Sequence, residues 1–153
     1  MTDTHELVLE RTLAAPRMAV WRCWTDTDLL KQWFCPKPWF VSDVRSDLRP
    51  GGEFFTRMNG PNGESIDNPG VWLEVIDGKR LVMTDAFTPD WKPKADPFMV
   101  AIVEFSDTAA GATQYRAVAR HWTSQAMKQH EDMGFHAGWN AAADQLEALA
   151  QSL

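Results

Sequence analysis

Hydrophobic residues recur along this chain with two different periods, and the switches between them divide it into predicted elements. Residues 6–13 alternate between apolar and polar positions and predict a first β-strand. Pro16 suits the first turn of a helix, where its missing N–H costs no hydrogen bond. Two short amphipathic helices are expected after it, the first carrying Met18, Val20 or Trp21, and Trp24, the second carrying Leu29, Leu30, Trp33 and Phe34.

From residue 39 onward, short β-type segments alternate with turn-forming residues. The pattern predicts six strands, at residues 40–48, 53–58, 71–76, 80–87, 98–105 and 113–122. Residues 88–97 contain three prolines and are expected to form a loop. Because the other connections are short, neighbouring strands should pair antiparallel.

The C-terminal segment, residues 124–153, lacks proline and is rich in strong helix formers, so it predicts one long helix. Its apolar stripe consists of Phe135, Trp139, Ala142, Leu146 and Leu149. Gly134 and Gly138 lie beside that stripe, although a glycine inside a helix costs about 1 kcal/mol relative to alanine. Two explanations are open: a strand packs very close to the helix there, or the missing side chains leave room for a ligand.

The order of elements is one strand, two short helices, six strands and one long helix, which is an α+β arrangement. A twisted antiparallel sheet of about six to seven strands curls, and one long amphipathic helix can cover its concave face. The space between helix and sheet is then either core or pocket. No repeat or linker composition interrupts the chain, so we expect a single domain over residues 1–153.

Composition and charge argue against several classes of protein function. The net charge of -6 argues against nucleic acid as a partner, because phosphate contacts need a basic patch. No apolar run approaches the ~20 residues of a membrane span. Cys23 and Cys35 form no C-x-x-C pair and no secretory signal is visible, which indicates a cytoplasmic protein with free thiols. Eight tryptophans are too many for a small core, so some should line a cavity or an interface.

Four motifs, in this order along the chain, carry a resemblance to a known family. They are W-x-x-W-T-D-x-x-L-L-K-Q-W-F (residues 21–34), D-L-R-P-G-G-E-F (47–54), G-V-W-L-E-V followed by R-L-V-M-T (70–84), and M-G-F-H-A-G-W-N-A-A-A-D-Q-L (133–146). They resemble the SRPBCC or START-like (Bet v 1-like) superfamily, and in particular the branch named after the activator of the heat-shock-protein-90 ATPase. The resemblance implies the helix-grip fold, in which a curved antiparallel sheet grips a long C-terminal helix. It also implies a cavity between them, which in relatives holds lipids, sterols, polyketides or other apolar molecules.

Residues for metal binding or nucleophilic catalysis are not apparent, and we expect no metal and no cofactor. His130 and His136 are six residues apart on the predicted helix and therefore point to different sides. There is no G-x-S-x-G elbow. Cys23, next to Trp24 on an amphipathic helix, is expected to be a buried, inert thiol, and no histidine lies near Cys35 in sequence to activate it. General acid–base chemistry stays open, because any of several strand residues could face the cavity: Glu53, Glu74, Asp85, Glu104, Arg57, Arg116 and Arg120.

The sequence therefore favours binding of a small apolar or amphipathic molecule in a cavity between the sheet and the C-terminal helix. Ten residues are predicted to line it: Trp33, Phe34, Phe54, Met58, Trp72, Met83, Phe87, Phe135, Gly138 and Trp139. One alternative is an enzyme of the cyclase or hydratase type that uses a pocket carboxylate or arginine. Another, less favoured, is a partner of a chaperone ATPase. A homodimer is also possible, through Trp39, Trp91 and the 88–97 loop.

Overall fold

Four helices and ten strands follow one another in the computed structural model, which describes residues 4–153. The helices are α1 (Arg17–Thr25), α2 (Thr27–Leu30), α3 (Ser124–Asp132) and α4 (Phe135–Gln151). The strands are β1 (His5–Leu13), β2 (Phe40–Ser46), β3 (Phe54–Asn59), β4 (Ser65–Asn68), β5 (Val71–Ile76), β6 (Arg80–Thr84), β7 (Phe87–Thr88), β8 (Lys92–Pro93), β9 (Val100–Asp107) and β10 (Thr113–His121).

The largest sheet is antiparallel and has five strands in the order β1-β10-β9-β6-β5. Side chains alternate between its two faces, so Tyr115, Ala117 and Ala119 of β10 point to the same side. That side is buried beneath α1 and α4. The predicted α+β class and helix-grip architecture are confirmed.

The other strands form separate small sheets. Strands β2, β3 and β4 pair in that order, and β7 pairs with β8. Hydrogen bonds across the 51–54 segment, including one from the Trp72 N–H to the Gly52 carbonyl (3.0 Å), join β3 to β5. The sheet predicted as continuous is thus divided at this point, and its two parts enclose the interior from two sides.

Three segments differ from the sequence prediction for local reasons. No strand is predicted from the sequence at β4, because this strand is short, mostly polar and exposed at all four residues, as an edge strand of a three-stranded sheet can be. The strand predicted over residues 80–87 ends at Thr84, since the Asp85 carboxylate accepts the N–H groups of Phe98 and Met99. The predicted 88–97 loop instead holds the β7–β8 hairpin, with Asp90 and Trp91 at positive φ.

The long C-terminal helix is interrupted once. Gly134 has φ +100° and separates α3 from α4, so it lies outside a helix rather than within one. A left-handed glycine is a common helix terminator because it lacks a Cβ. Gly138 is helical, as predicted. The two glycines that looked alike in the sequence therefore have different structural roles.

Candidate functional site

A cavity of about 270 Å³ lies between the five-stranded sheet and α4. Its lining comes from the two larger sheets, from two helices (α1 and α4) and from the segment after α2. The lining residues are Leu9, Trp24, Trp33, Phe34, Cys35, Pro36, Met58, Met83, Met99, Ala101, Val103, Tyr115, Ala117, Gly138, Trp139, Ala142 and Ala143. This set is almost entirely apolar.

The cavity exists because small residues face one another across the gap. Ala101 and Ala117 occupy the sheet, and Gly138, Ala142 and Ala143 occupy α4. A Cβ added at Gly138 would meet only the Pro36 ring, at 4.0 Å. At these positions no long side chain extends from the sheet to α4, so the interface there is left unfilled.

The segment after α2 is held against α4 by one glutamine. The Gln145 side-chain amide donates to the carbonyl oxygens of Trp33 (3.0 Å) and Cys35 (2.9 Å). Its side-chain oxygen accepts the Lys37 N–H at 3.0 Å. These three bonds fix the position of the aromatic residues that close this side of the cavity.

Aromatic rings build one wall of the cavity through edge-on contacts. The Trp33 ring centre lies 5.0 Å from that of Trp24 and 5.6 Å from that of Phe34. The Trp33 indole N–H donates to the Cys23 carbonyl oxygen at 2.9 Å, which orients the ring. These contacts fix the relative positions of the three rings that form this wall.

The polar side chains of the lining are uncharged. The Tyr115 hydroxyl accepts a hydrogen bond from the Trp24 indole N–H (3.1 Å), and burial raises the pKa of Tyr115. Burial also raises the pKa of the Cys35 thiol to about 11. Both groups are therefore protonated at neutral pH, and Cys35 is a poor nucleophile.

The strand residues that the sequence offered as acids or bases lie in contacts outside the cavity. On the outer face of the large sheet, Arg80 contacts Glu74 and Glu104 (both 2.8 Å), and Arg116 also contacts Glu104 (3.3 Å). The remaining partners are Arg45 for Glu53, Asp67 for Arg57, Glu6 for Arg120, and the Phe98 and Met99 N–H groups for Asp85. Within residues 4–153, no three histidine, cysteine or acidic side chains are placed to hold a metal ion.

With the geometry in place, comparison with known proteins identifies the family. A model described as "Activator of Hsp90 ATPase homolog 1-like protein" matches residues 14–151. The chain belongs to this family. The resemblance seen in the four sequence motifs is thereby confirmed.

Solved structures from the same fold family are similar over nearly the whole chain. A Nitrosomonas europaea protein is 48% identical, with a TM-score of 0.92 and coverage of 96% of this chain and 94% of its own. A Mycobacterium smegmatis protein is 27% identical, with a TM-score of 0.80 and coverage of 97% and 95%. A Staphylococcus epidermidis protein is 26% identical, with a TM-score of 0.80 and coverage of 100% and 94%. No protein of curated function matches the sequence.

The structure brings six of the ten predicted residues together around the cavity of this family member. They are Trp33, Phe34, Met58, Met83, Gly138 and Trp139. The other four lie elsewhere. Phe54 stacks on Trp72 behind the wall (4.3 Å), Phe87 packs on Trp91 in the outer hairpin, and Phe135 packs among His130, His136 and Trp139.

The sequence prediction included Gly138 but not the alanines of the lining or Tyr115. One signal for them exists: β10 carries Ala117 and Ala119 at alternating positions, and Ala119 pairs with Ala101 on β9. Alanines repeated on one face of adjacent strands indicate space above that face. Tyr115 belongs to the same alternating set, which places it on the cavity side.

Two buried histidines join α3 to the sheet next to the cavity wall. The His121 Nδ1 lies 3.0 Å from the His5 carbonyl oxygen, and its Nε2 lies 2.9 Å from the His130 Nδ1. Because a carbonyl only accepts, His121 donates through Nδ1. When the His121 ring is neutral, its Nε2 accepts the hydrogen bond from the His130 Nδ1–H. Burial, with the neighbouring His121, lowers the pKa of His130 to about 4.

Proposed function

We propose that this protein binds a small apolar or amphipathic molecule in the cavity between the large sheet and α4. The observation that carries the proposal is the apolar lining around about 270 Å³ of space. Among residues 4–153, that lining includes no aspartate, glutamate, lysine, arginine or histidine. Transfer of an apolar molecule from water into such a site is favourable, by about 25 cal/mol for each Å² of its apolar surface.

The volume limits the size of the molecule. An apolar cavity of about 150 Å³ binds benzene, and pockets for drug-sized ligands begin near 300 Å³. A cavity of about 270 Å³ therefore suits a bicyclic ring system or a medium-length acyl chain. The flexible side chains of Met58, Met83 and Met99 can adjust to ligands of different outline.

We do not propose a cyclase or hydratase activity for this cavity. That hypothesis needs a carboxylate or an arginine inside it, and the seven strand residues considered for the role have partners elsewhere. The binding function needs no such group. It is consistent with a family whose fold commonly holds ligands.

The family description gives a second, weaker proposal, which is stimulation of a chaperone ATPase. It rests on that description alone, and an Hsp90 ATPase assay with the purified protein tests it.

A cytoplasmic location and a homodimer also stay predictions. Among residues 4–153, no helix is both long and apolar enough to cross a membrane. Trp91 is 51% exposed and offers an aromatic surface, and sedimentation at increasing concentration tests the dimer.

A titration with 2-isopropenylnaphthalene tests the binding function. This probe is an uncharged bicyclic molecule of the size that the cavity suits. In ¹⁵N–¹H spectra we expect saturable shifts at the amides of Ala101, Ala117 and Gly138, which surround the cavity. Gly138→Leu should fill the space, keep the fold and abolish the saturable shifts, since only Pro36 lies near an added Cβ.

Ala148→Leu is the matched control for this experiment, because it adds a leucine to the same helix at an exposed residue that does not line the cavity. This variant should bind the probe as the wild-type protein does. The proposal is contradicted if the wild-type spectra do not change, or if Gly138→Leu folds and still binds with unchanged affinity.

A further inference from the structure

Tyr115 is the only tyrosine in the chain, and it stands at the wall of an otherwise apolar cavity. It lies on β10 and is 3% exposed. A phenylalanine would fill the same space without a buried hydroxyl, whose burial is unfavourable unless it forms hydrogen bonds. The hydroxyl therefore needs an explanation.

Part of that explanation is the Trp24 indole. Its N–H donates to the Tyr115 oxygen at 3.1 Å, and both residues line the cavity. This bond uses the hydroxyl as an acceptor and leaves its hydrogen to be donated. Among the hydrogen bonds of residues 4–153, this is the one that the Tyr115 hydroxyl forms, and in none of them does the hydroxyl act as the donor. The structure thus contains a fixed, neutral hydrogen-bond donor without a protein acceptor.

We propose that the Tyr115 hydroxyl anchors the ligand, and that the ligand is a neutral molecule carrying a hydrogen-bond acceptor, such as a ketone or an ester, on an apolar body. This inference rests on the proposed binding function. It assigns the cavity a chemical class of ligand and an orientation. The acceptor oxygen points to β10, and the apolar body extends toward the methionines.

Two competing ligand classes fit the lining less well. A carboxylate would need a cation, and the described lining has none. The nearest candidate is Arg11, which pairs with Tyr115 across β1 and β10. Its guanidinium is already engaged by Asp144 (2.8 Å) and by Asn140. A pure hydrocarbon would leave the Tyr115 hydrogen without an acceptor, which is costly in a buried site.

Three probes with one ring system separate these classes. They are 2-acetylnaphthalene, a ketone; 2-isopropenylnaphthalene, in which a CH₂ group replaces the ketone oxygen; and 2-naphthoate, an anion. Their dissociation constants are measured by calorimetry with the wild-type protein and Tyr115→Phe. The preference for the ketone is the ratio of the alkene's dissociation constant to that of the ketone. We expect this ratio to be roughly threefold to tenfold greater in the wild-type protein than in Tyr115→Phe, because the variant lacks one neutral hydrogen bond to the ketone.

Tyr115→Phe loses some stability, because it leaves the Trp24 N–H without its acceptor. Infrared spectroscopy of the ketone bound to the wild-type protein provides a second test, which does not depend on this variant. In the wild-type protein, donation from Tyr115 should lower the carbonyl stretching frequency relative to the ketone in hexane. Thr113→Val is the matched control, because it removes one buried hydrogen bond of the same strand, from the Thr113 hydroxyl to the Ala15 carbonyl oxygen (2.8 Å), at a residue that does not line the cavity. It should alter neither measurement.

The outcomes separate this inference from the binding function. If no probe binds, the binding function itself is wrong. If ketone and alkene both bind, but the frequency matches hexane and Tyr115→Phe keeps the same preference, binding stands and the anchor is wrong. If 2-naphthoate binds most tightly, the ligand class is wrong.

Discussion

Aromatic side chains fill the core in one region of this molecule and line a cavity in a neighbouring region. In the packed region, Trp72 is completely buried and stacks on Phe54 with ring centres 4.3 Å apart. In the cavity region, Trp33 and Phe34 present their rings to open space. The difference lies in the residues opposite them. Large rings meet large rings in the packed region, whereas alanines and Gly138 leave the cavity region unfilled.

The candidate site therefore results mainly from small side chains on two facing surfaces, and less from charged or reactive side chains. Ala101 and Ala117 on the sheet lie across from Gly138 and Ala142 on α4, and all four line the cavity. A core normally fills such a gap, because an empty apolar cavity of this kind costs stability. Keeping the gap open makes sense if a molecule from outside occupies it.

Truncating a ring in the packed region should have the largest effect. Trp72→Ala removes a buried ring and the hydrogen bond from its indole N–H to the Ser46 hydroxyl (3.0 Å). We expect the free energy of unfolding to fall by about 3–5 kcal/mol, measured by urea denaturation. Trp91→Ala, at a side chain that is 51% exposed, should cost about 1 kcal/mol or less. Equal losses in the two variants would refute the distinction between packed and exposed rings.

The histidine pair makes the junction between α3 and the large sheet sensitive to acid. The pKa of His130 is about 4 when folded and near 6.5 when unfolded, so the unfolded chain binds more protons between these values. The stabilisation is complete above about pH 6.5 and is lost as the pH falls toward 4. The total loss should reach about 3 kcal/mol at most.

Urea denaturation at several pH values measures this effect. His130→Gln keeps a side-chain N–H donor for His121 but cannot be protonated, so its stability should change less across the same pH range. The matched control is His136→Gln, at an exposed histidine paired with Glu131. It should keep the wild-type slope. A flat wild-type profile between pH 4 and 6.5 would show that His130 is not held neutral.

The two glycines should respond to alanine with opposite signs and the smallest effects. Gly134 has φ +100°, so Gly134→Ala should cost about 1–2 kcal/mol although nothing lies near the added Cβ. Gly138 is helical beside the cavity, so Gly138→Ala should stabilise the protein by about 0.5–1 kcal/mol. Thermal unfolding measures both. A loss of stability in Gly138→Ala would indicate close packing at that position.

The architecture could be predicted from the sequence because it depends on local pattern. The first strand, the helices that follow it and the C-terminal helical segment are each recognisable from the spacing of apolar residues. The break at Gly134 was less visible, since a glycine within a helix and a glycine that ends one look the same in sequence. Strand β4 carries no hydrophobic alternation and was not predictable in this way.

The cavity could be predicted only in part, because its lining depends on which strand face turns inward. Phe54 and Phe55 are adjacent in β3 and both buried, so their burial does not identify the cavity side. Trp72 is apolar like the lining residues, but the ring of Phe54 covers it. Tyr115 meets Trp24 across 91 residues of sequence, a contact that no local pattern reveals.

A crystal structure with 2-bromonaphthalene shows whether the space beneath α4 holds an apolar molecule, because bromine is located independently by its anomalous scattering. We predict a bromine peak between α4 and the large sheet, in van der Waals contact with the residues around Ala117 and Gly138. Crystals of Gly138→Leu should lack that peak. Bromine bound only at the protein surface, with the space beneath α4 empty or filled by protein side chains, would contradict the proposed binding site between α4 and the large sheet.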